Sequence, residues 1–264
     1  MNIRAYFQYA LLMVKINAQY KFNLVCSALF PYVNAGTMLI FLGTAISSGE
    51  TVHGYSRTSL LSYYLLAALM QNAVIPSVKY DVFYEIRSGN FDVWAVRPIS
   101  FTVRTVFGGI SASLYKLFFS FLAMAPILFF VGHYFGPIGL ALSVWGILAM
   151  FLAIVLCSVL STLCSMSAFW LENADGMAWL LYFGSMLVSG QVLPLSFFPH
   201  QLQVLFGVTP FGLLFAAPVD LIVGNAQNGP FVIIKQLCWI ALLMLLVLPC
   251  LHASGMRRYE SAGG

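Results

Sequence analysis

The chain has 264 residues, of which 61 % are apolar, 16 % aromatic and only 8 % charged, with a formal net charge of +4. Soluble domains run at about 45–50 % apolar and about 25 % charged, so twelve basic and eight acidic side chains cannot cover a water-facing surface of this size. A water-soluble globule is excluded. The expected class is an all-α integral membrane protein, and at about 20 residues per crossing the length bounds roughly five to seven spans in a single domain, 1–264.

The basic residues form no stripe interleaved with aromatics, which argues against nucleic acid and leaves them to report topology. Cys26, Cys157, Cys164, Cys238 and Cys250 lie in apolar runs without a Cys-x-x-Cys pair. Neither a disulfide framework nor a metal site is expected, and no cofactor is called for.

Residues 1–22 lack the charged, apolar and small-residue succession of a cleaved signal. Arg4, Gln8, Lys15 and Gln19 share one helical stripe, with Tyr6, Tyr9, Met13, Ile16 and Tyr20 largely opposite. That pattern fits a helix lying flat in the cytoplasmic interface; the other reading is an extension of the first span into water.

Apolar runs predict six crossings, at approximately residues 24–46, 59–78, 108–132, 137–166, 177–198 and 231–254. Each can bridge about 30 Å of hydrocarbon at roughly 1.5 Å per residue. Residues 199–230 stay apolar but are broken by Pro199, Pro210, Pro218 and Gly224. Their pieces are too short to cross and predict an extracellular re-entrant or interfacial helical hairpin.

With a cytoplasmic N-terminus, the inside segments carry Arg4, Lys15, Lys21, Lys79, Arg87, Arg97, Arg104, Arg257 and Arg258, and the outside ones only Arg57 and Lys235. The positive-inside rule then places both termini in the cytoplasm. Lys116 falls within the third span, where it either snorkels to the cytoplasmic edge or meets a substrate. Asn34 in the first span and Gln71 and Asn72 in the second either hydrogen-bond between helices or face a substrate. Cys157, Ser161 and Ser165, spaced by four, predict a close helix contact on the fourth span.

Residues 79–104 hold seven of the twenty charges, Lys79, Asp81, Glu85, Arg87, Asp92, Arg97 and Arg104. Lys79–Arg87 reads as a helix, Ser88-Gly89-Asn90 as a turn, and Arg97-Pro98 as an extended exit. The segment is either a knob for a partner's groove or a solvated loop.

Energy-coupling and catalytic motifs are missing. No lysine follows a glycine, so there is no phosphate-cradling loop, and no His-Glu-x-x-His occurs. Glu172 and Asp175 lack the further acidic residues that a two-metal site needs and read as a loop pair.

Four stretches together resemble the membrane subunits of type-2 ABC exporters, in a bacterial permease branch: EIRSGNFDVWAVRPIS (85–100), FWLENADGMAWLLYFGSMLVSGQVLPLSFFP (169–199), TPFGLLFAAPVDLIVG (209–224) and GMRRYESAGG (255–264). The resemblance implies a six-helix permease of the bacterial cytoplasmic membrane, with an interfacial helix, a cytoplasmic coupling helix and a re-entrant hairpin. It implies two copies of a separate ABC ATPase, a second permease (an identical or a sister subunit) and a lipid surround. ATPase contacts are expected within Tyr80–Asn90, at Glu85 and Arg87 with Tyr84 and Phe91 as apolar anchors and Tyr80 at the knob's start, and secondarily at Glu172 and Asp175. The path is expected at the dimer interface, near Asn34, Thr37, Gln71, Asn72, Gly190 and Gln191, for an amphipathic or hydrophobic cargo. Two rival classes are an ion-coupled secondary transporter, for which neither an inverted repeat nor mid-membrane ionisable residues are seen, and a scaffold without a path. A lipid-modifying enzyme would need a denser carboxylate or histidine constellation.

Overall fold

The structure, a computed structural model of the 264-residue chain, describes residues 3–19, 21–45, 54–89, 91, 100–135, 139, 141, 143–225 and 228–259. Its described elements are helical: α1 (Ile3–Gln19), α2 (Lys21–Ala45), α3 (Arg57–Val74), α4 (Tyr80–Arg87), α5 (Phe101–Phe135), α6 (Val144–Ser165), α7 (Asp175–Val188), α8 (His200–Val208), α9 (Ala216–Val223), α10 (Gly229–Leu242) and α11 (Leu248–Met256). A 3₁₀ turn over Met166–Phe169 follows α6, and a π segment over Leu243–Val247 joins α10 to α11.

Why the helices begin and end where they do is visible in their caps. Ser56 and Ser143 open α3 and α6 by accepting from the amides of Ser59 and Gly146, at 3.2 and 3.0 Å. Gly224, with φ +88°, closes α9 in the left-handed conformation.

α3 is the centre. Leu60, Leu61 and nearly every side chain from Tyr63 to Val74 are buried, against α2, α5, α6 and α9. Outer helices show the reverse pattern: Phe107, Phe118, Phe121, Leu122 and Phe129 of α5, and Phe231, Ile234, Leu245 and Leu246 of the last helices, are large, apolar and exposed. Such faces are untenable in water and normal in lipid. Among the described residues, three helices are long and apolar enough to cross a membrane, Phe101–Phe129, Val144–Phe169 and Gly229–Met256.

Three sequence boundaries need correction. The third helix starts at Phe101 rather than at 108, so Arg104 lies one turn inside it and is buried. The fifth is only 14 residues long, about 21 Å, which falls short of a bilayer core. It stops because the backbone turns at Ser189–Gly190, where Gly190 has φ +85°; Ser189 accepts from the Ala216 amide at 3.0 Å and Gly190 from the Tyr63 hydroxyl at 2.6 Å. α6 starts at Val144, not at 137. Within residues 199–230, where a hairpin is expected, lie the short helices α8 and α9 with a turn between them. Gln236 of α10 holds that turn and α6 together, its amide nitrogen donating to the Leu213 and Ala149 carbonyls, each at 3.0 Å.

Tyr55, just before α3, donates its hydroxyl to the buried Asp220 carboxylate on α9. Burial pushes the Asp220 carboxyl up from 3.8 to about 7, a rise that the Tyr55 hydrogen bond partly offsets. A carboxyl raised by folding stabilises the fold in full below its unfolded value, and that contribution disappears as pH climbs through the folded value. Stability of the solubilised protein is therefore expected to fall between pH 3.8 and about 7, by up to about 1.4 kcal/mol per pH unit from this group. Asp220→Asn, which keeps an oxygen for Tyr55, should flatten that part of a thermal-melting profile; an unaltered profile would sink the assignment.

Candidate coupling site around α4

The sequence YDVFYEIR makes α4 two-sided: Val82, Phe83 and Ile86 are buried against the 3₁₀ turn, while Tyr80, Asp81, Tyr84 and Arg87 are exposed. Asp81 in the first turn and Arg87 in the last oppose the helix dipole. The Tyr80 and Tyr84 rings stack at 6.2 Å. Tyr80 donates to an Asp175 carboxylate oxygen at 3.0 Å, which raises its pKa and brings the start of α7 onto the same surface. Exposed Trp170, Leu171 and Glu172 lie between these two elements in sequence.

Glu85 points differently from its neighbours. Its Oε2 accepts from Arg104 at 2.8 Å, and Arg104 is only 2 % exposed. The guanidinium also sits over the Tyr9 and Phe101 rings, at 5.1 and 5.2 Å from their centroids. One buried cation thus joins α1, α4 and α5. Phe91 is equally internal, 2 % exposed, with its ring 4.7 Å from Phe101 and 5.4 Å from Tyr259. Arg87 stays outside, lining a 230 Å³ pocket with Arg258, Phe169 and Tyr259. Asn90 lies outside the described residues.

Lys79, immediately before α4, was not singled out by the sequence reading as a site residue. Its ammonium enters the seam between α5 and α6 and donates to the Thr105 carbonyl at 2.7 Å, to Thr162 Oγ1 at 3.1 Å and to Ser158 Oγ at 3.3 Å. Its backbone amide donates to Ser165 Oγ at 2.7 Å, and the Ser77 amide donates to Ser161 Oγ at 3.1 Å. Ser158, Thr162 and Ser165 in turn donate to the Val106, Ser158 and Ser161 carbonyls, leaving lone pairs free for these donors. Burial lowers the lysine to about 8. Gly109 makes the room: a Cβ there would lie 2.2 Å from Ser158 Oγ and 2.5 Å from Lys79 Nζ. The signal for this clamp is four hydroxyl side chains on one face of an apolar helix (158, 161, 162, 165), whereas the helix contact expected there rests on Cys157, Ser161 and Ser165 and passes over Ser158 and Thr162.

The expected path residues meet only in part. Asn34 of α2, Gln71 of α3 and Gln191 line one cleft with Pro31, Tyr64 and Met186. Thr37 is exposed and donates back to the Asn34 carbonyl at 2.7 Å. Gly190 is buried beside the cleft, and Asn72 lies on α3 with its side chain outside the described set. Among the described residues no group of His, Cys, Asp or Glu is arranged to hold a metal.

The family model for ABC-2 family transporter proteins matches residues 32–263. The chain belongs to that family. No curated protein and no solved structure matches it. Family membership makes the chain a multi-pass membrane permease component of an ABC transporter and implies an association with an ABC ATPase. The matched range takes in α4, Lys79, Glu85 and Arg104 and the cleft residues Asn34, Gln71 and Gln191, whereas Pro31 and α1 with Tyr9 precede it. In this ABC-2 chain, then, one of the two rings over Arg104, that of Tyr9, comes from a segment that the family pattern does not reach, and the other, that of Phe101, lies within it.

Two predictions follow from the clamps. Glu85→Ala strands the Arg104 charge and should destabilise the fold by about 3–5 kcal/mol, with partial recovery when Arg104→Met is added; a denaturation cycle on the four variants measures both. Lys79→Met and Gly109→Ala should each cost about 1–3 kcal/mol in the same assay. Lys116→Met removes the same charge without breaking a hydrogen bond and is expected to cost less.

Proposed function

We propose that the chain is the permease subunit of an ATP-driven exporter, moving an amphipathic or hydrophobic cargo out of the cytoplasm or inner leaflet of a bacterial cytoplasmic membrane. Two ABC ATPase subunits dock on the exposed face of α4 and drive a pair of permeases, identical or sister. Both termini are cytoplasmic. α2, α3 and α7 together with the residues that follow it to 198 complete six crossings with the three long apolar helices, α1 lies in the interface, and α8 and α9 re-enter from outside. The excess of Lys and Arg on the α4 side of the membrane supports this orientation.

The observation that carries the reading is the two-sidedness of α4. Tyr80, Tyr84 and Arg87 are offered outward, while Lys79 and Glu85 bind the same helix to α5, α6 and α1. A push on the outer face is passed on without slack. Asp175 and Glu172 extend the docking surface, and Phe91 contributes from beneath by packing. Asn34, Gln71 and Gln191 belong to the path, with Thr37, Asn72 and Gly190 beside it.

Co-purification with the ATPase and ATP-dependent transport in proteoliposomes test the docking face. Tyr84→Ala with Arg87→Ala is expected to leave the permease folded and to lower transport at least tenfold, through lost ATPase capture or lost coupling. Full transport by the double variant would place docking elsewhere. Transport by the wild-type chain alone, driven by an ion gradient, would favour the secondary-transporter class instead.

A further inference from the structure

Gln191 is 6 % exposed, and neither its amide oxygen nor its amide nitrogen has a hydrogen-bond partner among the described residues. A buried amide in that condition is costly, and native structures rarely keep one without an occupant. Its position is held from both sides, because Tyr63 donates to the Gly190 carbonyl at 2.6 Å and Tyr64 to the Val192 carbonyl at 3.0 Å. Both tyrosines come from the central helix α3, so the loop cannot turn the amide towards another acceptor without breaking two hydrogen bonds.

The space in front of Gln191 is small and then widens. The cleft it shares with Asn34 and Gln71 encloses about 40 Å³, enough for one polar group. A second cavity of 350 Å³ also touches Pro31 and Gln71 and is lined by Phe30, Ile75 and Tyr182. Among the described residues no charged side chain lines either space. A charged group would lose its hydration there without gaining a counter-ion, whereas a hydroxyl or primary or secondary amide would find both a donor and an acceptor, and an ester carbonyl a donor.

We propose that Gln191, with Asn34 and Gln71, forms a selectivity site for an uncharged hydrogen-bonding group on a largely apolar cargo, whose body lies along the wider cavity. The proposal rests on the transport reading above for the word cargo, but the binding itself needs no ATP. Selection works by the unpaired amide: a molecule lacking the neutral polar group leaves Gln191 unsatisfied, and one carrying a charge pays for dehydration.

The test uses the full chain with its ATPase partner in lipid nanodiscs, without nucleotide, and three diazirine-bearing C12 probes: an alcohol, a trimethylammonium and a carboxylate. Labelling is mapped by peptide mass spectrometry. The alcohol is expected to label peptides of α2, α3 or residues 186–192 at about tenfold lower concentration than either ion. Gln191→Leu should abolish that preference, and Gln191→Glu should shift it to the trimethylammonium probe, a change of selectivity that simple loss of folding would not produce. Equal labelling by all three probes, no labelling by any of them, or a preference unchanged in both variants overturns the proposal and leaves water as the occupant. Specific alcohol labelling without ATP-dependent movement of the probe in proteoliposomes would instead count against the transport reading and leave the binding site standing.

Discussion

The arrangement depends on one buried ammonium group. Lys79 reaches between α5 and α6 without an ion-pair partner among the described residues, and its charge is held by a backbone carbonyl and two hydroxyls. Desolvating a cation costs several kcal/mol, which three neutral acceptors offset only in part. The lowered lysine pKa reflects that remaining strain between burial and charge. The geometry gained is a fixed one: the backbone of Ser77 and Lys79 is stitched to the hydroxyl face of α6, and the side chain to α5. Glu85, two turns further on, adds an ion pair to the same helix α5. α4 is therefore fixed at two points along its length and cannot tilt about either one alone.

The solvent explains why so much of the polar chemistry lies inside. With lipid around α5 and the last helices, side chains such as Phe118 and Leu245 face outward, and hydroxyls and amides turn to the centre. Broken backbone is the main customer for them. Where α7 ends early, the freed carbonyls of Gly190 and Val192 are satisfied by Tyr63 and Tyr64, and where α8 gives way to α9, Gln236 supplies two donors. Gln191 stands out because, in a region where neighbouring backbone groups have partners, its own amide has none.

Hydropathy made the long helices legible, and charge density made α4 legible, since both are properties of contiguous sequence. What the sequence does not show are contacts with a distant partner. Arg104 reads as a loop residue because an arginine is expensive in an apolar helix; Glu85, nineteen positions earlier, neutralises it and lets the helix start at Phe101. Glu85 and Phe91 are expected as an ATPase contact and an apolar anchor; the partners that the fold gives them, Arg104 for one and Phe101 and Tyr259 for the other, are distant in sequence and not legible there. The early end of α7 was hidden because apolar residues continue past Gly190 to Phe198, and hydropathy does not register a left-handed turn. Residues 92–99, with the Arg97-Pro98 exit, lie outside the described set.

The links that hold α4 differ in strength, and the difference decides which helices share its motion. Lys79 and Arg104 are enclosed, so water does not compete for their hydrogen bonds, and α1, α5 and α6 are bound to α4 through them. The third link, from Tyr80 to Asp175, is exposed and is made by a single hydroxyl, so solvent can replace it at little cost. α7 is thus the helix that can part from α4 while the others follow. α7 also supplies Met186 and Tyr182 to the two cavities whose opposite walls are α2 and α3. On the proposed coupling role, a displacement of α4 would reach those cavities as a change in the distance between α7 and α3, with the exposed Tyr80–Asp175 contact as the link that yields first.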